Sequence, residues 1–141
     1  TVRRQRQMCI RDSEDGATPL WIACEKGHVD AARMLLEKGA EVDRAGGKYG
    51  DETPLYIACS NGHVDVARLL MEKGAEVDRA TEEGATPLLV ACESGHVDVV
   101  RLLLEKGAEV DRADEDGETP LSIAKQNRHA SIVALLEQHQ K

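Results

Sequence analysis

Three segments set a thiol, an imidazole and a carboxylate at one spacing: ACEKGHVD at 23–30, ACSNGHVD at 58–65 and ACESGHVD at 91–98. Cysteine and histidine are the ligands of zinc, which takes about four donors at ~2.0–2.3 Å. The same residue types could also form an activated nucleophile with a histidine base. Neither chemistry follows from the spacing. Gly27 breaks the chain between Cys24 and His28, which places them on different elements. If the three segments are stacked units, equivalent residues stand ~8–10 Å apart, one helix-packing distance. That is too far for a shared metal and exceeds the ~7 Å Cα limit for a disulfide. A fourth copy keeps His129 but has Lys125 in place of the thiol. We therefore expect no metal and no cofactor. Cys24, Cys59 and Cys92 read as small buried apolar groups. His28, His63, His96 and His129 read as helix-start residues bonded to backbone, and Asp30, Asp65 and Asp98 as first-turn carboxylates favoured by the helix dipole.

The elements that carry these residues repeat. TPL occurs at 18–20, 53–55, 86–88 and 119–121, at intervals of 35, 33 and 33. Each unit reads as helix, turn, helix, loop. Thr18 can cap the first helix, and Pro19 sits at its first position, where a missing N–H costs nothing. Gly27 can take the left-handed conformation that ends it. Val29, Ala32, Leu35 and Leu36 recur at three- and four-residue spacing and form one apolar stripe on the second helix. Such a pair cannot bury that stripe alone, and about three or more must stack. The approximate unit boundaries are 13–45, 46–80, 81–113 and 114–141.

Composition narrows the function classes. The 141 residues carry a net charge of −8. Residues 1–12, TVRRQRQMCIRD, are basic at +3 and leave −11 on the remainder. A body this acidic repels phosphate backbones, which argues against nucleic acid as partner. No apolar run approaches the ~18 residues that a membrane span needs. With Trp21, Tyr49 and Tyr56 as the aromatic residues and no Phe, the core must be aliphatic and thinly layered. Unpaired thiols suit a reducing intracellular compartment, the cytoplasm or the nucleus. Residues 1–12 do not read as a unit and change charge abruptly. We expect them to be a separate basic tail, foreign to the native protein.

The period of 33, the TPL helix start, the GH between helices and the LLLEKGAEVD ending together resemble the ankyrin repeat family. The resemblance covers roughly residues 13–141. It implies an all-α ankyrin-repeat solenoid of four helix-turn-helix units with short β-hairpin fingers. It also implies non-catalytic protein binding at a concave face made of fingers and first helices, not an enzyme. The chain would act as a monomeric adaptor or scaffold. An alternative is the recognition segment of a larger ankyrin-containing enzyme, channel or signalling protein. Three departures stand out. Where the family has His after TPL, this chain has Trp21, Tyr56, Leu89 and Ser122. The finger around AGGKYGDET at 45–53 is longer by two residues. In the fourth unit Arg128 replaces the glycine between helices, and Glu137 stands where Leu36, Met71 and Leu104 stand earlier, as suits a terminal unit.

On this reading the partner footprint comprises the finger residues Asp15, Tyr49, Asp51, Glu52, Glu82, Glu83, Glu115 and Asp116. It also comprises the first-helix residues Trp21, Glu25, Lys26, Tyr56, Ser60, Asn61, Leu89, Glu93 and Ser94. The acidic turn DEDGE at 114–118 is too short for a calcium loop of about 12 residues. Acidic fingers around tyrosine and tryptophan predict a partner with basic and apolar groups.

Overall fold

A computed structural model describes residues 17–47 and 49–139. Asp15 and the basic tail lie outside them. The described residues form eight helices: α1 (Pro19–Lys26), α2 (Val29–Glu37), α3 (Pro54–Ser60), α4 (Val64–Glu72), α5 (Pro87–Ser94), α6 (Val97–Glu105), α7 (Pro120–Gln126) and α8 (Ala130–His139). Each odd-numbered helix packs on the even-numbered helix that follows it. The odd helices also pack on one another in series, as do the even ones. The result is two layers, α1–α3–α5–α7 against α2–α4–α6–α8.

Local chemistry sets each helix start. The hydroxyls of Thr18, Thr53, Thr86 and Thr119 accept from the backbone N–H of Trp21, Tyr56, Leu89 and Ser122, each at 3.1 Å. Proline follows each threonine, where no intrahelical donor is lost. In α7 the cap is reciprocal, because Ser122 Oγ accepts from Thr119 N–H at 2.8 Å. At the helix-helix turns Gly27, Gly62 and Gly95 have φ of 77°, 77° and 81°, the left-handed conformation that glycine takes without strain. The aliphatic core runs along the seam between layers. Leu20, Leu55 and Leu88 from the first layer, with Leu70, Leu103 and Leu136 from the second, are fully buried.

The connecting loops carry no strand among the described residues, and the β pairing there is one isolated bridge, Gly46 with Glu52. Side chains and backbone tie successive loops together instead. Asp43 accepts from Glu76 N–H at 3.3 Å, and Asp78 accepts from Glu109 N–H at 3.0 Å. Asp51 accepts from Glu82 N–H at 2.9 Å, and Glu115 N–H donates to Glu83 carbonyl oxygen at 2.8 Å. These bonds satisfy backbone donors that a β ladder would otherwise have used.

Candidate functional site

The thiols and imidazoles divide between two structural tasks. Cys24, Cys59 and Cys92 are free and have no exposed surface. They lie in the interior between successive pairs. Burial pushes the thiols of Cys24 and Cys92 up to about 12 and raises that of Cys59 as well. A thiol held protonated is a poor nucleophile and a poor ligand. The histidines point back across the same seam. The Nε2 of His63, His96 and His129 lies 2.9, 2.9 and 3.1 Å from the carbonyl oxygens of Glu25, Ser60 and Glu93. A carbonyl only accepts, so each Nε2 carries the hydrogen. The histidine bond to backbone is therefore a bond to the preceding pair. Neither His63 nor His96 caps its own helix with its side chain.

The same rings explain the glycines. A Cβ on Gly27, Gly62 or Gly95 would come within 2.7 Å of the ring of His63, His96 or His129. The glycine thus meets two demands, a left-handed φ and a flat surface for the next histidine. The first-turn aspartates Asp30, Asp65 and Asp98 each face an arginine three residues on, Arg33, Arg68 and Arg101, at 3.5–3.6 Å. These pairs are solvent-exposed, and each contributes about 0.5 kcal/mol or less. Among the described residues no group of three or more His, Cys, Asp and Glu is arranged to hold a metal.

The footprint residues separate by depth. Tyr56 is half-buried at the start of α3. Its hydroxyl is pushed up to about 12, first by burial and then by the carboxylates of Glu52, Glu93, Asp51 and Glu83. Glu52 is itself raised by burial, then by Asp51 and Glu25. Four predicted acidic residues, from one helix and two loops, thus act on one tyrosine, and Glu25 acts on Glu52. Tyr49 lies on the loop beside them and is 71 % exposed. Lys26, Asn61, Glu82, Glu93, Ser94, Glu115 and Asp116 are exposed, while Glu25 and Ser60 are half-exposed. Asn61 also donates to Glu25 carbonyl oxygen at 2.9 Å.

Two predicted contact residues need correction. Trp21 is 6 % exposed and Leu89 is 4 % exposed, so neither offers a side chain to a partner. Trp21 lies under the lengthened loop. Its Nε1–H donates to Glu52 carbonyl oxygen at 2.9 Å. A Cβ on Gly46 or Gly47 would come within 3.1–3.2 Å of the indole. The indole needs that close cover, and two consecutive glycines provide it. Glu52 O also accepts from Gly46 N–H at 2.8 Å, which closes the loop over the ring. The sequence held a signal for this arrangement: the one tryptophan and the one lengthened, glycine-rich loop belong to adjacent units. Leu89, aliphatic where Trp21 and Tyr56 are aromatic, simply packs.

This periodic stack of capped helix pairs coincides with a family profile. The profile described as ankyrin repeats (3 copies) matches residues 3–81 and again 77–141. Together the matches span nearly the whole sequence, and the chain belongs to the ankyrin repeat family. Ankyrin repeats are protein–protein interaction modules. No curated protein matches the chain. No helix among the described residues is long and apolar enough to cross a membrane.

Proposed function

We propose that the chain is a non-catalytic module that binds a partner protein through the face formed by its first helices and connecting loops. On this reading the array is four units over residues 13–141, with the loops acting as fingers. The observation that carries the reading is the set of carboxylates around half-buried Tyr56, where Glu52, Glu93, Asp51 and Glu83 act on its hydroxyl and Glu25 acts on Glu52. Asp51 and Glu25 disfavour the charge of Glu52, and a cationic side chain beside it would relieve the repulsion. The exposed Tyr49 adds apolar surface beside them. The expected partner therefore offers lysine or arginine next to an apolar residue, and its association slows with salt. Trp21 and Leu89 support this face from beneath. Glu82, Glu115 and Asp116 extend it along the loops, and Lys26, Ser60, Asn61 and Ser94 extend it along the helix ends. The unpaired thiols fit a reducing compartment, cytoplasm or nucleus, and the acidic body disfavours nucleic acid.

The experiment is a binding comparison at matched folding, judged by circular dichroism. Tyr49→Ala with Tyr56→Ala, and Asp51→Lys with Glu83→Lys, should each release a partner that the parent chain captures. Retention of every partner by both variants would remove this face from the function.

A further inference from the structure

We infer that Asn61–Gly62 is a spontaneous modification site, independently of what the chain binds. Opening of the joint between α3 and α4 lets the Asn61 amide convert to a carboxylate, and the product keeps that joint loose. The chain has two asparagines, and both stand at a joint between helices. Their settings match. Asn61 has φ and ψ of −96° and 2°, and Asn127 has −91° and 5°. Asn61 Nδ2 donates to Glu25 carbonyl oxygen at 2.9 Å, and Asn127 Nδ2 donates to Glu93 carbonyl oxygen at 3.1 Å. Both asparagines are exposed. In each joint the histidine two residues on donates to the same carbonyl. The difference lies in the next residue, Gly62 in one joint and Arg128 in the other.

That difference decides the chemistry. A backbone nitrogen can attack the preceding asparagine Cγ when its own residue leaves room, and glycine has no side chain in the way. The Gly62 nitrogen forms a bond to Asn61 Cγ, and its proton leaves with the amide as ammonia. Water then opens the cyclic imide at either carbonyl, which gives aspartate or isoaspartate. The net reaction consumes one water, releases one ammonia and involves no oxidation. The folded joint holds the reacting atoms apart. At ψ of 2° the Gly62 nitrogen eclipses the Asn61 nitrogen and is turned away from the side chain. Gly62 N–H is also held by Cys59 carbonyl oxygen at 3.3 Å. The rate therefore follows the open population of this joint. Two neighbours impose the labile pair. The preceding pair uses the asparagine donor at Glu25, and the following pair needs a glycine, because a Cβ on Gly62 would lie 2.7 Å from the His96 ring. In the product, a carboxylate has no hydrogen to donate to Glu25. Isoaspartate also lengthens the main chain by one carbon and displaces Gly62 from beneath His96.

The first measurement is peptide mapping by mass spectrometry of the intact chain aged in mildly alkaline buffer. Conversion at Asn61 should outrun conversion at Asn127 severalfold. His63→Ala removes the second bond to Glu25 carbonyl oxygen and should raise conversion at Asn61 about fivefold, with Asn127 unchanged. Equal rates at the two asparagines would overturn the proposal. So would a His63→Ala chain in which Asn61 converts no faster, or in which both sites speed up together, because the reaction would then not report this joint. The second measurement is urea unfolding of the converted chain, which its extra negative charge separates on an anion exchanger, beside Asn61→Asp. Asn61→Asp should shift the unfolding equilibrium about threefold toward the unfolded state, and the isoaspartate form should shift it further. A converted chain with the parent's midpoint would show that the product does not loosen the joint, and the proposal would fall.

Discussion

The joint between α3 and α4 and the joint between α7 and α8 have nearly the same backbone but different surroundings. At the interior joint Gly62 has φ of 77°, and the ring of His96 lies where its Cβ would be. At the last joint Arg128 has φ of 59°, and it is exposed. The left-handed turn is thus a demand of the helix pair itself, since both joints have it. The absence of a side chain is a demand of the neighbour, since only the joint with a following histidine enforces it. The same contrast holds one helix earlier. Cys59 is fully buried, whereas Lys125 at the equivalent position is exposed. Conformation belongs to the unit, and residue size and polarity belong to the stack.

That separation is broken most forcefully by Cys59→Lys. The substitution places an ammonium in a seam with no exposed surface and should cost more than about 4 kcal/mol, enough to abolish a cooperative urea transition. The reverse change, Lys125→Cys, should leave the transition where it is. If Cys59→Lys unfolds no more readily than the parent, the seams are wet and the contrast between interior and end is lost. Next in size is Gly62→Ala. A non-glycine left-handed residue and a compressed histidine contact together should cost about 3 kcal/mol. Gly74 shares the positive φ, at 96°, but no atom lies within 4 Å of its would-be Cβ. Gly74→Ala should therefore cost only about 1 kcal/mol, and equal losses at the two glycines would show that the ring contact contributes nothing.

Much of this was legible in the residues. The period placed all eight helix starts, because threonine and proline open each unit, and glycine divides the first three, by local rules that need no knowledge of the neighbours. The cysteines were correctly read as buried apolar groups by the same logic. The direction of the histidines was not legible in full. A helix-start imidazole can bond its own turn or the turn before it, and only the stacking distance selects the second. Trp21 and Leu89 were misplaced for a related reason. Position after TPL was treated as one surface site, but its exposure depends on the loop above it. A residue's depth in a stacked array depends on its neighbour's loop, and that is not local information. Glu83 and Glu93 lie far from Tyr56 in sequence, and each was placed in the footprint, but their action on its hydroxyl appears only in three dimensions.

The histidine bond itself is a smaller lever. His96→Ala removes the donor to Ser60 carbonyl oxygen, at 2.9 Å and partly buried, and should cost about 1–2 kcal/mol. His28→Ala removes a ring with no described partner and should be silent in the same urea titration. If the two substitutions match, the loss at His96 comes from its own helix start, and the inter-pair bond is not what stabilises the joint.

The smallest effect runs in the opposite direction. Arg128 holds a left-handed φ, unlike every other non-glycine residue described. That conformation costs a side-chain-bearing residue about 1–2 kcal/mol, while a glycine adds about 0.5–1 kcal/mol of unfolded-state entropy. Arg128→Gly should therefore stabilise the chain by about 0.5–1 kcal/mol, read as a higher urea midpoint at unchanged slope. The gain also separates two accounts of why arginine is there. If arginine is tolerated because nothing stacks on that turn, glycine improves the fold and leaves the protein monomeric. If arginine instead blocks a further stacking partner, the glycine variant exposes a flat turn that can accept a histidine such as His28 of another copy. In that case the midpoint would rise with protein concentration, and sedimentation would show association that the parent lacks.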